Sequence, residues 1–186
     1  MPSVFSHAIV GSTLVACGLP RPRAALVVLG AVLAVVPDLD VVGLAFGWGL
    51  DHPLGHRGLS HSLIVAVVLA GLATAAIRPQ PREGRWRIWL VLAVAAASHG
   101  VLDALTNGGR GVAFLAPFLD TRWHFGVRPI EVSPIGVWSF FSRRGFEVLT
   151  NEVVWLWAPS LAALAATWAL RRVSDPRTPA ARAPGR

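Results

Sequence analysis

Long apolar runs that carry almost no charge are the feature that most restricts the fold of this chain. Hydrophobic residues make up 54% of the sequence and charged residues only 15%, whereas a soluble domain usually carries about 25% charged residues. The 186 residues suffice for one domain with a sizeable core. We therefore expect a membrane protein, and a soluble all-α bundle with unusually apolar helices is the alternative.

Five apolar helices are predicted, at about residues 4–19, 24–36, 60–77, 86–105 and 152–170, with Ser60 as the N-cap of the third. A long irregular loop, residues 110–151, precedes the last helix. No charge-free run reaches the roughly 20 residues of a clean spanning helix, so these helices span a membrane only if they include their polar ends. The predicted fold is an all-α, polytopic membrane bundle comprising a single domain, 1–170. The basic segment 171–186 is expected to be a disordered tail.

The chain is strongly basic, because its formal charge of +7 comes from 17 arginines and no lysine. Nucleic-acid binding is one interpretation of such a charge, and contact with anionic lipid headgroups is the other. The arginines cluster between the apolar runs, which favours membrane lipids as partners and argues against nucleic acid. The single Cys17 excludes an intrachain disulfide and a multi-cysteine zinc site.

The arginine clusters also predict an orientation. Arg21 and Arg23, four arginines in 78–87 and five in 171–186 fall on one side if the helices alternate across the bilayer. The positive-inside rule makes that side cytoplasmic, although five arginines in the loop 110–151 oppose this assignment. We predict a multi-pass protein of the bacterial inner membrane whose other helix ends lie on the extracytoplasmic side.

Those other helix ends carry the candidate metal ligands, which are His7, Asp38, Asp40, His56, His61, His99 and Asp103. Ionisable groups at membrane depth are functional by default. His99 and Asp103 are four residues apart, so they share a helix face and lie roughly 6 Å from each other. Asp38 and Asp40 can reach one centre only if Pro37 breaks the helix. His52 and His124 have no partner at helix spacing and are expected to be structural.

Histidine and aspartate without thiolate suit zinc, with manganese or magnesium as alternatives, and the number of ligands allows two ions. A metal lowers the pKa of bound water and so supplies a nucleophile. No G-x-S-x-G, H-E-x-x-H or P-loop sequence offers another route. The candidate catalytic residues are Arg57, His56 and Asp103, with Arg57 stabilising oxyanion charge. Each residue taken alone also has a structural interpretation as a hydrogen-bonded or headgroup-contacting side chain.

At these residues the chain resembles the YdjM-like family of inner-membrane proteins, which are described as membrane-bound, metal-dependent hydrolases. The resemblance covers about residues 3–136. It rests on His7, on Pro37-Asp38-Leu39-Asp40, on Gly55-His56-Arg57-Gly58-Leu59-Ser60-His61-Ser62, on Ser98 to Thr106, and on Arg122-Trp123 within Pro117–Arg128. It implies a helical membrane protein with a likeness to zinc-dependent phospholipases C. Glu131 is a further candidate ligand or base.

The predicted function is that of a membrane-bound, metal-dependent hydrolase acting on a phosphoester or lipid-linked substrate. The alternative is a non-catalytic protein that binds or moves metal ions. A transporter needs polar residues through the depth of its helices, and the runs 63–77 and 88–97 are almost wholly apolar. A third possibility is a structural protein whose polar helix ends only hydrogen-bond one another.

Overall fold

The predicted apolar runs form helices in the computed structural model, which describes residues 1–49, 52–77, 84–134 and 136–174. The α-helices are α1 (Val4–Gly18), α2 (Ala24–Val35), α3 (Val42–Ala45), α4 (Leu63–Ala76), α5 (Arg85–Ala104), α6 (Val137–Phe140), α7 (Arg143–Glu152) and α8 (Ala158–Val173). Within these ranges there is no β-strand, and two isolated bridges, Thr106 with Ile130 and Val112 with Trp123, hold the long loop. The predicted all-α class is confirmed.

Two prolines change the helical geometry without ending the helix. After α2, a 3₁₀ helix covers Val36–Val41 and leads directly into α3. Pro37 therefore tightens the helix locally and does not interrupt it. A π-helical stretch, Val153–Trp157, joins α7 to α8 just before Pro159. Proline lacks the N–H that an α-helix needs and collides with the preceding turn, and the altered turns accommodate both effects.

Three predicted boundaries are wrong. Ser62, and not Ser60, caps α4, because the Ser62 side chain accepts a hydrogen bond from the backbone of Val65. A separate 3₁₀ turn, Leu59–His61, precedes it. The last helix begins at Arg143, within the predicted irregular loop, where Ser142 provides an N-cap. The expected disordered tail, 171–186, begins too early, because α8 continues through Arg171 and Arg172 to Val173. The rest of that tail, from 175 onward, lies outside the described residues, as does the segment 78–83.

Within the described part of the chain, three helices are long and apolar enough to cross a membrane: Ala24–Ala45, Arg85–Ala104 and Arg143–Val173. The first includes the acidic pair after Pro37, and the second includes His99 and Asp103. These two polar ends therefore belong to the helices, as a spanning length requires. Helices α1 and α4 are apolar but shorter. The molecule is a helical membrane bundle.

An apolar core joins α1, α2, α4 and α5, and it contains Val15, Leu33, Ala70 and Leu92. One end of this core is basic. Arg87 donates a hydrogen bond to the carbonyl of Gly18, and Arg171 donates to the carbonyl of Leu19, so both arginines stabilise the C-terminal end of α1. The polar residues singled out in the sequence lie at the other end of the bundle, where α1 begins.

Candidate metal centre

Six of the seven predicted ligands meet at the end of the bundle opposite these arginines. They form three overlapping groups, in each of which one potential ligand atom per residue lies within 4.8 Å of the others. The groups are His7, Asp38 and His99; Asp38, His56 and His61; and His61, His99 and Asp103. All except Asp38 are buried. Metal binding by these residues stays a prediction.

The fourth predicted helix, α5, supplies the centre of this cluster. His99 and Asp103 lie one turn apart on its buried face, as their spacing predicts. The carbonyl of Ala34 can only accept, and it lies 2.7 Å from His99 Nδ1, so Nδ1 carries the proton. In the neutral ring, His99 Nε2 then presents a lone pair, and this atom lies 2.9 Å from His61 Nε2 and 3.3 Å from Asp38 Oδ1.

Asp40 has a different position from the other six residues. Its Oδ1 lies 2.7 Å from His56 Nδ1, and its Oδ2 lies 3.1 Å from His61 Nδ1. The hydroxyl of Ser60 and the backbone N–H of Arg57 also donate to Oδ2. A carboxylate on Nδ1 holds an imidazole ring so that Nε2 is free to bind a metal. The tight 3₁₀ turn points Asp38 and Asp40 to different sides of the cluster.

The polar atoms at the middle of the cluster lack hydrogen bonds. Among the described residues, the buried side-chain atoms without a hydrogen-bond partner are both ring nitrogens of His7 and both oxygens of Asp38 and of Asp103. His7 Nε2 lies 3.5 Å from Asp103 Oδ1, and the His7 ring stacks on His99 with the centroids 3.8 Å apart. Buried polar groups normally have partners. A metal ion bound among these atoms would satisfy them, so the residues fit a divalent cation.

The carboxylates of the cluster strongly stabilise positive charge. Burial alone lowers the pKa of His61, but the nearby carboxylates of Asp103 and Asp40, at 3.4 and 3.1 Å, outweigh it and raise this pKa to about 9. The same carboxylates would stabilise a bound cation as they stabilise the proton on His61.

Arg57 closes one side of the centre. Its Nε lies 3.1 Å from Asp103 Oδ2, and its two terminal nitrogens donate to the carbonyl of Gly108 and the hydroxyl of Thr106. The backbone of Arg57 has a φ of 65°, a left-handed conformation that is costly for a residue with a side chain. The surroundings hold it there, because Arg57 is almost completely buried.

The long loop supports this strained segment. Arg122 donates from Nη1 to the carbonyls of His56 and Arg57, at 3.3 and 3.0 Å. A cavity of about 100 Å³ lies beside His56 and Arg57, and Gly109 and Arg110 also line it. A cavity lined by two arginines thus lies beside the cluster.

The remaining candidates lie away from the cluster. His52 is exposed and stacks on Trp48, and His124 lies on the exposed loop, so neither joins the three groups. Glu131 forms an ion pair with Arg144, and this partner lowers the pKa of its carboxyl. Its predicted role as a ligand or base gains no support from this position.

Sequence reasoning missed the roles of several supporting residues. Ser60, Thr106 and Arg122 lie inside the segments that carry the family resemblance, and that was the signal available for them. Glu152 gave no such signal. Its buried carboxylate accepts from the backbone N–H of Ser3 at 2.5 Å and from the hydroxyl of Ser6 at 2.7 Å. It therefore anchors the start of α1, one turn before His7.

Comparison with known proteins identifies relatives along almost the whole chain. The family model described as "YdjM inner membrane protein" matches residues 1–174. The chain is 36% identical over 176 residues to the protein named inner membrane protein YbcI of Escherichia coli strain K12, and the match covers 92% of this chain and 100% of the relative. No solved structure matches the chain.

Proposed function

The chain belongs to the YdjM family of inner membrane proteins, and from this premise we propose that it is a membrane-bound, metal-dependent hydrolase of phosphoesters in or near lipid headgroups. The observation that carries the proposal is the set of buried atoms on His7, Asp38 and Asp103 that make no hydrogen bond and have only ion-pair neighbours, next to the facing Nε2 atoms of His61 and His99. A protein that used these residues only for structure would leave few such groups unsatisfied.

The residues proposed to hold the metal are His7, Asp38, His56, His61, His99 and Asp103, with Asp40 orienting His56 and His61. Nitrogen and oxygen donors without thiolate suit zinc or manganese, and the three overlapping groups can accommodate two ions. When bound, such an ion lowers the pKa of water and polarises a phosphoryl oxygen.

Arg57 supplies the complementary charge for the substrate. Arg57 lines the small cavity beside the centre, and its guanidinium lies against Asp103. A guanidinium has five N–H donors, and three of its nitrogens here make one contact each with Asp103, Gly108 and Thr106. The remaining N–H groups are available for a phosphate oxygen. We also propose that the protein is multi-pass, with this centre on the extracytoplasmic side.

The test compares wild type, His61→Ala and His52→Ala after purification in detergent. Metal content is measured by mass spectrometry, and release of headgroup or phosphate from phospholipids is assayed. We expect metal and turnover in wild type and in the exposed control His52→Ala, and loss of both in His61→Ala. Metal-free wild type would overturn the proposal. Bound metal without turnover on any phosphoester would favour a non-catalytic metal-binding protein.

A further inference from the structure

An apolar cavity of about 370 Å³ opens between the long loop and the start of α4. It is lined by Leu63, Phe114, Leu115, Trp123, His124 and Phe125. The volume lies in the range of roughly 300–1,000 Å³ that is typical of small-molecule sites. Because all the lining side chains except His124 are hydrophobic, the cavity suits an apolar chain better than a polar ligand.

The backbone of the loop connects this apolar cavity to the arginine-lined cavity at the metal centre. The backbone N–H of Ala113 donates to the carbonyl of Arg57, which lines the smaller cavity, and the next residue, Phe114, lines the apolar cavity. Arg57 in turn contacts Asp103 of the metal cluster. The two cavities are therefore neighbours across a single contact. A molecule with an anionic head and an apolar tail is complementary to both.

The apolar cavity also continues onto the outer surface of the bundle. Leu63 lines the cavity and is the first residue of α4. Further along this helix Ile64, Val68 and Leu72 are exposed, at 40%, 52% and 63%. These three residues are four apart, so they form one apolar stripe. In a membrane protein such a stripe faces lipid, which gives a bilayer lipid a lateral path to the cavity.

Resting on the proposed hydrolase function, we propose that this cavity binds an acyl chain of a membrane phospholipid whose phosphate lies against Arg57 beside the metal centre. The chain contacts give the enzyme its substrate class, because they select a phosphoester that is attached to an apolar tail. They also place the ester next to the metal ligands, since the Ala113–Arg57 hydrogen bond joins the wall of the tail site at Phe114 to Arg57 of the phosphate site.

The test uses a phospholipid with a photoreactive diazirine at the end of one acyl chain, added to the detergent-solubilised full chain at a few molar equivalents. Labelled segments are mapped by mass spectrometry in wild type, Leu115→Trp, Leu115→Gln and Leu119→Trp. Leu115 lines the cavity, whereas Leu119 is exposed on the same loop outside it. We expect labelling of residues 113–125 to fall at least five-fold in both Leu115 variants and to change less than two-fold in Leu119→Trp.

Competition separates the phosphate from the tail. An unlabelled short-chain phospholipid should abolish the labelling of this segment, and a diacylglycerol with the same chains should compete at least ten-fold more weakly. Labelling spread evenly over the exposed faces of α2 and α4, or equal labelling in all variants, would overturn the inference.

The same labelling in His61→Ala separates this inference from the proposed function, because labelling needs no turnover. Cavity labelling without hydrolysis of any ester supports the acyl-chain site and overturns the proposed hydrolase function. Hydrolysis of a soluble ester such as bis(p-nitrophenyl) phosphate without cavity labelling overturns the acyl-chain site and supports the proposed hydrolase function.

Discussion

At the scale of single residues, the position of Asp40 decides how two histidines are presented. Both of its oxygens contact an Nδ1 atom, one of His56 and one of His61. The sequence placed Asp40 among the ligands, and the structure gives it the contacts of a residue that orients ligands. The distinction is open to measurement, because a ligand and an orienting group affect metal binding differently.

Asp40→Asn replaces one carboxylate oxygen by an amide donor, which cannot accept from a histidine N–H. We expect metal affinity to fall about 10- to 100-fold, as is usual when such an orienting carboxylate is lost, while the metal content at saturation stays that of wild type. Competition against a chelator measures this affinity. The exposed Asp120→Asn is the matched control, and a reduced metal content at saturation would show that Asp40 is itself a ligand.

Gly109 determines where Arg57 can lie. It has a φ of +88°, and a Cβ atom built on it would lie 2.3 Å from Nη1 of Arg57. Gly109→Ala should therefore displace the guanidinium and cost about 1 kcal/mol or more of stability, because alanine disfavours positive φ. We expect kcat/KM for the phosphoester to fall at least ten-fold while metal remains bound.

The matched control for this change is Gly126→Ala in the same loop, where a Cβ atom meets nothing within 4 Å. It should behave as wild type in both steady-state kinetics and metal content. Equal activity of the two alanine variants would mean that the position of Arg57 is unimportant for turnover.

At the scale of helices, the close approach of α1 and α2 sets the distance between the candidate ligand residues that they position, His7 and Asp38. A Cβ atom on Gly30 would lie 2.4 Å from Cγ2 of Val15, and one on Gly11 would lie 2.5 Å from Cβ of Ala34. These glycines let the two backbones pack together. Asp38 lies in the 3₁₀ helix that continues α2, and it consequently belongs to the same candidate ligand group as His7 of α1.

Gly30→Val should push α1 away from α2 and move His7 from its partners. Overpacking of this kind typically costs about 1–3 kcal/mol, and we expect a lower melting temperature together with at least ten-fold weaker metal binding. Val28→Leu on the same helix is 60% exposed in wild type and should change neither quantity. Unaltered metal affinity in Gly30→Val would show that this crossing does not position the ligands.

At the scale of the whole molecule, the bundle has two chemically different ends. Arginines bind the C-terminal carbonyls of α1 at one end, and the histidine and aspartate cluster lies at the other. Applied to the arginines at the C-terminal end of α1, the positive-inside rule favours the cytoplasm for that end, whereas Arg57, Arg110 and Arg122 lie beside the cluster. The proposed extracytoplasmic site therefore corresponds to a specific orientation in the membrane.

Cysteine labelling in intact spheroplasts tests this orientation. Cys17 is the one cysteine of the sequence, so Cys17→Ser gives a background without thiols. In that background a membrane-impermeant maleimide should label Leu119→Cys in intact spheroplasts and Arg23→Cys only after lysis, since both positions are exposed. Labelling in the opposite order would place the metal centre on the cytoplasmic side.

Several features of the fold and the site follow from local sequence alone. The apolar runs predicted the main helices to within a few residues, except for the last, because burial of apolar side chains dominates where charge is absent. The spacing of His99 and Asp103 predicted a shared face because residues four apart are neighbours on the surface of any α-helix. The start of the last helix at Arg143 was missed because its first turns are polar and its cap is a single serine.

The sequence by itself determined which side chains are the candidate ligands and near which helix ends they lie, because helical period and apolar patterning are local properties. Only the tertiary structure decided how those side chains pair: Asp40 with His56 and His61, Arg57 with Asp103, and Ser3 with Glu152. These partners are 16 to 149 residues apart in the chain. Contacts at such separations depend on how closely whole helices pack and on how a turn after Pro37 divides two neighbouring carboxylates, and no local pattern encodes either.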